Sequence, residues 1–170
     1  MKTNVKRILL LVLLIADMIF IFYNSAQVAA VSSNASQSVT QIVAHVIVPN
    51  YDDLNETEKL QTVASLEAIL REAAHLLQFV PMGFALYLLL RSAELPDKLR
   101  KLRIPVTLCF GFLYALSDEV HQLFVPGRSF QFFDIFMDTC GVLVGIIGGI
   151  ILLLIIGKIK KIKAQWGCLI

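Results

Sequence analysis

The sequence lacks the short motifs that mark several common catalytic sites. It contains no His-Glu-x-x-His zinc signature, no Gly-x-Ser-x-Gly nucleophile elbow and no phosphate-binding P-loop. Zinc-dependent proteolysis, serine hydrolysis and P-loop nucleotide hydrolysis are therefore not predicted. A function must instead be sought in residues that are distant in the chain and meet in the fold.

Cysteine is also scarce, with three residues in 170. Cys109 and Cys140 lie inside apolar runs, which is typical of inert packing residues. Cys168 is third from the C-terminus, whereas a prenylation box needs a cysteine in the fourth position from the end. The sequence predicts neither a disulfide nor a prenyl anchor.

Charged residues are few, at 16%, while 57% of the chain is hydrophobic and the mean hydropathy is +0.74. A soluble domain of this length would be less apolar. We therefore predict one all-α membrane domain over residues 1–170. A transmembrane helix needs about 20 mostly apolar residues. Four segments qualify as predicted spans, at about 8–22, 73–90, 105–124 and 133–156.

Lysine and arginine are concentrated in three segments that four spans would place on one side. These are the N-terminus, the 91–103 loop and the C-terminal tail, with Lys2, Lys6, Arg7, Arg91, Lys98, Arg100, Lys101, Arg103, Lys158, Lys160, Lys161 and Lys163. By the positive-inside rule, both termini are cytoplasmic. Residues 24–72 and 117–134 then face the outside of a multi-pass protein of the cell membrane.

The first span has an alternative interpretation as a cleaved signal peptide, because small residues follow a basic start and an apolar core. Asp17 within that core favours an uncleaved helix. We expect Asp17 to face a neighbouring helix and to find a hydroxyl or backbone partner there.

The outer segment between spans one and two contains two amphipathic stretches. Residues 38–48 place five apolar side chains on one helical face, namely Val39, Ile42, Val43, Val46 and Ile47. The second stretch begins with a predicted capping box of Asp53 and Glu56 and keeps helical period into span two. We expect both stretches to lie on the membrane surface or against the outer ends of the spans.

Polar side chains are dense at the outer ends of three predicted spans. They are Glu72, His75, Asp118, Glu119, His121, Gln122, Arg128, Asp134 and Asp138. Ionisable groups at a membrane helix end usually line a protein interior or a wet cavity. We therefore predict that these residues form a cluster, in which Asp138 pairs with Arg128, His75 or His121.

Three glycines continue the face of Asp134 and Asp138 on span four. Gly141, Gly145 and Gly149 follow one another at intervals of four residues. Small residues at this spacing allow another helix to approach closely. The strip is a candidate contact for a helix of a partner protein.

The residues of the cluster leave three roles open, which are a salt-bridge network that locks the helix ends, a ligand site and a catalytic site. The guanidinium of Arg128 has the fork geometry that suits phosphate or carboxylate. Glu119 or His75 could act as an acid or base. Carboxylates with His75 and His121 could hold a divalent metal. The metal and any cofactor remain unknown from the residues alone.

The chain resembles the VanZ-like family of bacterial membrane proteins. The matching residues run Ser117-Asp118-Glu119-x-His121-Gln122-Leu123-Phe124-Val125-Pro126-Gly127-Arg128, then Asp134-x-x-x-Asp138-Thr139-x-Gly141. His75 with Phe79 resembles the histidine of the family's second span, and Tyr23-x-Ser25-x-Gln27 resembles the end of its first helix. In three places the chain departs from the family's common residues, at Glu72, Gln78 and Gln131.

The resemblance implies a four-helix membrane protein of the cell envelope. The namesake of the family is linked to low-level resistance to the glycopeptide teicoplanin. Carried over by motif, the residues of interest are His75, Glu119, Gln122, Arg128 and Asp134.

Together, the residues and the resemblance lead to one main hypothesis, in which an outward-facing cavity binds an anionic envelope ligand through Arg128. Glu119, Gln122 and His75 would orient the ligand, and Asp134 and Asp138 would hold Arg128 or a metal. Asp118 completes the predicted ligand-binding set. The expected partners are the lipid bilayer and a lipid-linked or phosphate-bearing molecule, with no nucleic acid. The alternatives are an enzyme acting on a lipid-linked cell-wall substrate, with Glu119 or His75 catalytic, and a structural helper of another membrane protein.

Overall fold

The computed structural model describes the backbone of residues 2–166 and the side chains of residues 4–28 and 37–165. Within this part of the chain there are only helices and connecting turns, which confirms the all-α class. The helices are α1 (Lys2–Ser25), α2 (Ala29–Ile47), α3 (Glu56–Ser92), α4 (Asp97–Arg100), α5 (Arg103–Gln122) and α6 (Phe132–Trp166), with a 3₁₀ turn at Tyr51–Asp53. Cys109 and Cys140 are free thiols, and Cys168 lies outside the described residues.

Two of the described helices, α3 and α6, are long and apolar enough to cross a membrane. With 37 residues, α3 is about 55 Å long. The hydrocarbon core of a bilayer is only about 30 Å thick. One continuous helix therefore contains both the second amphipathic stretch and the predicted second span, as the unbroken helical period indicated, and it runs through Pro81 without interruption.

The central helix is α3, which packs along α6 and also contacts α1, α2 and α5. Phe79, Met82 and Ala85 of α3 are buried against the rest of the bundle, as are Val142 and Ile146 of α6. On α5 one stripe of side chains is buried, and it includes Gly111, Ala115, Asp118, Glu119 and Gln122. The helices thus turn one face to the core, and the polar residues of α5 continue its apolar stripe.

Asp17 on α1 interacts with the backbone of Met82 on α3. The expectation that this acid finds a backbone partner on a neighbouring helix is confirmed.

The glycines of α6 allow its backbone to touch the backbone of α3. A Cβ atom at Gly145 would overlap the carbonyl oxygen of Val80, and one at Gly141 would overlap that of Leu76. Gly149 lies against the ring of Tyr87, where a Cβ would be 2.8 Å from Cδ1. The strip for which we expected a partner's helix is therefore covered by α3 of the same chain.

The amphipathic helix α2 turns its polar side toward the bundle. Among residues 37–47, the part of α2 whose side chains are described, Thr40 and Ala44 are buried, and the helix packs against α3. Val39, Ile42 and Val46 of the predicted apolar face are exposed. The described helices do not cover this apolar stripe.

The predicted capping box of Asp53 and Glu56 is wrong in register. Asp53 lies in the 3₁₀ turn, and the helix begins two residues later than predicted. Asn55 is the cap: its side-chain oxygen accepts a hydrogen bond from the Glu58 N–H at 2.9 Å, and the Glu58 carboxylate accepts one from the Asn55 N–H at 3.0 Å.

Candidate functional site

Four helices and one loop bring their polar residues together at one end of the bundle. Helix α1 contributes its last residue, Ser25, and the loop between α5 and α6 contributes Arg128. The full polar cluster consists of Ser25, Arg71, His75, Asp118, Glu119, Gln122, Arg128, Asp134 and Asp138. Glu119, Asp134 and Asp138 are each 0% exposed. The predicted convergence of the helix ends is therefore present in the structure.

The histidine of the polar cluster lies between two carboxylates of α6. Nδ1 of His75 is 3.3 Å from Oδ1 of Asp138, and Nε2 is 3.6 Å from Oδ2 of Asp134. His75 was one of the partners expected for Asp138, and that expectation is confirmed. The imidazole is therefore flanked by two carboxylates, and its Nδ1 is within hydrogen-bond distance of Asp138.

A hydrogen-bonded group joins the end of α1 to α5. The Ser25 hydroxyl donates to Oδ2 of Asp118 at 2.5 Å. The side-chain amide of Gln122 donates to the Ser25 hydroxyl at 3.0 Å, to Oδ2 of Asp118 at 3.2 Å and to Oε1 of Glu119 at 3.1 Å. Gln122 therefore fixes the two acids of α5 relative to each other.

Glu119 connects α5 to the loop that precedes α6. Its Oε2 accepts a hydrogen bond from the Gln131 backbone N–H at 2.7 Å, while Oε1 accepts from Gln122. Both carboxylate oxygens are thus engaged inside the protein. Glu119 therefore holds the loop in place.

Two arginines lie at the margin of the polar cluster. Nη2 of Arg71 is 3.4 Å from Oδ2 of Asp134, and 41% of the Arg71 side chain is exposed. Nε of Arg128 donates to the Gln27 backbone carbonyl at 3.3 Å. Burial lowers the pKa of the Arg128 guanidinium from its usual value, and the nearby charge of Arg71 acts in the same direction. The two arginines thus approach the polar cluster from different elements, Arg71 from α3 and Arg128 from the loop before α6.

A turn at Pro126-Gly127 places Arg128 beside the polar cluster. Gly127 has a φ of 80°, a left-handed conformation that favours glycine because it has no Cβ. The Arg128 N–H donates to the Val125 carbonyl at 3.1 Å and closes the turn. The Pro-Gly-Arg order thus has a direct structural reason.

Several buried polar atoms of the polar cluster have no hydrogen-bond partner among the described residues. They are Oδ1 of Asp134, Oδ2 of Asp138, Oε1 of Gln122 and Nε of Arg71. Buried polar groups without partners are costly, so they mark positions where water or a bound molecule would be favoured. The three oxygen atoms are acceptors and lie among the acids of the polar cluster. The one donor, Nε, belongs to Arg71 at the margin of the cluster.

A sequence model of the VanZ/LLP1 family matches residues 9–155. The chain belongs to the VanZ/LLP1 family. The match spans all four helix ends that build the polar cluster, and together with the two long apolar helices it identifies a membrane protein. The comparisons with curated proteins and with solved structures give no match.

In this VanZ/LLP1 protein the acids of α6 do not hold Arg128 as one hypothesis expected. Asp138 contacts His75, which was among its expected partners, and Asp134 contacts Arg71 and His75. The reason is that Arg71 precedes His75 by four residues and lies on the same face of α3. Arg128 lies in the loop and reaches α1 instead.

Other predicted members lie at the edge of the VanZ/LLP1 polar cluster. His121 stacks on Phe22 of α1 with ring centroids 4.5 Å apart, and its buried Nε2 has no hydrogen-bond partner among the described residues. Oε2 of Glu72 is also buried without such a partner. No group of three or more His, Cys, Asp or Glu side chains within the described part of the chain is arranged to hold a metal ion.

Sequence reasoning left Ser25 and Arg71 out of the predicted site. The Tyr23-x-Ser25-x-Gln27 pattern contained a usable signal, since Ser25 and Gln27 contact Asp118 and Arg128. For Arg71 the signal was its four-residue spacing from His75.

Replacing Ser25 with alanine is expected to lower the free energy of unfolding by about 1–3 kcal/mol, because buried Asp118 and Gln122 both lose a partner. Thermal unfolding of the purified protein in detergent measures this change. Ser117→Ala is the matched control, since that exposed hydroxyl donates only to the Tyr114 carbonyl of its own helix. Equal effects of the two variants would contradict the assigned role of Ser25.

Proposed function

We propose that this VanZ/LLP1 protein binds the anionic group of a lipid-linked or phosphate-bearing cell-envelope molecule between Arg71 and Arg128. The polar cluster faces the extracytoplasmic side of a four-span membrane protein with both termini in the cytoplasm. Occupancy of the site contributes to resistance to glycopeptides of the teicoplanin type, as the namesake of the family suggests.

The observation that carries this proposal is the pair of guanidiniums at the margin of the buried acids. Arg71 and Arg128 come from different elements and are both partly accessible at the margin of the polar cluster. The buried acids offset part of their positive charge, and an anion placed between the two guanidiniums would be attracted by both. Guanidinium forks bind phosphate oxygens in a bidentate manner.

The buried acids explain how the two arginines are held without being neutralised. Asp134 touches Arg71 through one oxygen at 3.4 Å, and Asp118, Asp134 and Glu119 attract Arg128 from a distance. Asp138 and His75 in turn hold Asp134 in position.

The proposed orientation of the protein in the membrane is based on the position of its basic residues and on the lengths of its helices. The basic residues of 91–103 lie at the end of α3 opposite the polar cluster. Helices α1 and α5 have 24 and 20 residues, about 36 Å and 30 Å, which suffices to cross the hydrocarbon core. Both helices also expose large apolar side chains, among them Leu9, Val12, Ile19, Phe112 and Leu113.

Binding of short-chain prenyl phosphate and prenyl pyrophosphate to the purified protein tests the proposal. Arg128→Gln and Arg71→Gln are each expected to raise the Kd at least tenfold, because a charge-assisted hydrogen bond contributes about 1.5–3 kcal/mol. The neutral prenol should not bind at the site. The same variants should lose any teicoplanin resistance that the wild-type protein confers on cells.

Lys59→Gln is the matched control, because it removes the same charge on α3 at a distance from the polar cluster, where Lys59 is 3.9 Å from Glu56. If Lys59→Gln and Arg128→Gln raised the Kd equally, the binding would reflect general charge attraction and not a site at Arg128. If a folded protein with both arginine substitutions still bound prenyl pyrophosphate with the wild-type Kd, the proposed site would be wrong.

The alternative of an enzyme acting on a lipid-linked cell-wall substrate receives less support from the geometry. Its candidate catalytic groups were Glu119 and His75. Both carboxylate oxygens of Glu119 accept internal hydrogen bonds, and both ring nitrogens of His75 face acids. A general acid or base must reach the proton that it transfers. Turnover of a precursor that is lost in Glu119→Gln would revive this alternative.

A further inference from the structure

Two arginines converge on the C-terminus of α3, at the end of the bundle opposite the polar cluster. Arg7 of α1 donates from Nη2 to the carbonyl oxygen of Ser92. Arg103, the first residue of α5, donates from Nη2 to the carbonyl oxygen of Ala93 at 3.4 Å. The two arginines therefore bind consecutive carbonyl groups at the end of α3.

Neither guanidinium has a counter-charge in the part of the chain that the structure describes. Arg103 is only 8% exposed and Arg7 is half-buried, and the Nε atoms of both arginines are buried without a hydrogen-bond partner among the described residues. Among the side chains that the structure describes, no carboxylate forms an ion pair with Arg7 or Arg103. Glu94, which directly follows Ala93, is exposed and forms no ion pair with either arginine, and Asp97 pairs with exposed Arg100 at 2.9 Å.

Helix capping accounts for only part of this arrangement. The C-terminus of a helix carries the equivalent of roughly half a negative charge. Two full positive charges face it here, and an unpaired buried charge is strongly unfavourable. The remaining guanidinium donors and the uncompensated charge both indicate an anion, and a phosphate group suits paired guanidinium forks.

The position favours a lipid as the source of that phosphate. Arg103 opens α5 directly before an apolar helix, and Ser92 closes the apolar part of α3, so both lie where a membrane would end. Four more basic residues surround them in the chain, namely Arg91, Lys98, Arg100 and Lys101. Basic residues next to a membrane helix attract anionic lipid head groups.

We propose that Arg7 and Arg103 form a binding site for the phosphate group of an anionic phospholipid. The lipid head group occupies the margin between α1, the end of α3 and the start of α5. It balances the two arginines and secures the contact of α1 with α3. The site is separate from the polar cluster, so either can fail without the other.

Binding of phosphatidylglycerol to the full-length protein in neutral detergent, followed by native mass spectrometry, tests this proposal. Arg103→Gln is expected to raise the Kd about tenfold, since a charge-assisted hydrogen bond to phosphate is lost. Arg100→Gln removes the same charge from an exposed neighbour and is expected to change the Kd less than about twofold. Phosphatidylcholine, which has no net charge, should bind at least tenfold more weakly than phosphatidylglycerol.

Arg7→Gln provides a second test that does not remove the most buried side chain. If Arg103→Gln does not fold, the expected tenfold loss in Arg7→Gln decides the proposal. Equal losses in Arg100→Gln and in the two site variants would overturn it, because the attraction would then be non-specific. Displacement of phosphatidylglycerol by millimolar inorganic phosphate would assign the arginines to free phosphate and overturn the lipid site.

Discussion

Gly145→Leu is expected to prevent stable folding in detergent, with a loss of at least about 3 kcal/mol in the free energy of unfolding. A Cβ at this position would meet the Val80 carbonyl and lie 2.6 Å from the backbone nitrogen of Phe84. Backbone atoms of a helix cannot move aside as a side chain can. The new side chain would therefore force α6 away from α3 along the most extensive helix contact of the bundle.

Gly157→Leu is the matched control on the same helix. No atom lies within 4 Å of a Cβ at Gly157. We expect this variant to unfold at nearly the wild-type temperature, as measured by the loss of helical circular dichroism on heating. If the two variants had the same stability, the contact between α3 and α6 would not be the one described.

His75→Ala is expected to lower the free energy of unfolding by about 3–5 kcal/mol. The substitution leaves Asp134 and Asp138, both completely buried, without the imidazole between them. Removing one partner of a buried ionic contact leaves a charge that neither water nor protein satisfies. The double variant His75→Ala/Asp138→Ala should recover part of the loss, because it also removes one stranded carboxylate.

A second histidine allows a control at almost the same distance. Nδ1 of His45 lies 3.2 Å from Oδ1 of Asp52, compared with 3.3 Å for His75 and Asp138. The His45 and Asp52 side chains are 54% and 80% exposed, so His45→Ala is expected to cost only about 0–1 kcal/mol. Double-mutant cycles for the two pairs in urea or mild denaturing detergent measure both couplings. Similar couplings would show that burial does not govern the polar cluster.

The sequence was sufficient to predict most of the residues that gather, because these lie near the ends of apolar runs, but Ser25 and Arg71 were missed. It was not sufficient to predict how they pair. Whether Asp134 meets Arg71 or Arg128 depends on the rotation of α3 against α6 and on the path of the loop, and no local pattern encodes either. The glycine strip of Gly141, Gly145 and Gly149 is a similar case. Its spacing predicts a close contact with another helix, but it does not predict that this helix is α3.

The start of α3 was predicted two residues too early because two neighbouring residues could each cap the helix. Asp53 and Asn55 are both good cap residues, and Glu56 and Glu58 lie three residues after them. The sequence alone does not distinguish the two possible capping boxes. In the structure Asp53 belongs to the 3₁₀ turn Tyr51–Asp53 and so cannot cap α3. This turn depends on tertiary packing, because Tyr51 is buried.

The measurement that tests the central claim most directly is the labelling of Ser129→Cys in intact cells, with Cys109, Cys140 and Cys168 replaced by alanine. Ser129 is exposed and adjoins Arg128. We predict that a membrane-impermeant maleimide labels this position from outside, and that short-chain prenyl pyrophosphate slows the labelling. Labelling only after permeabilisation, or at a rate that prenyl pyrophosphate leaves unchanged, would contradict an outward-facing anion site at Arg71 and Arg128.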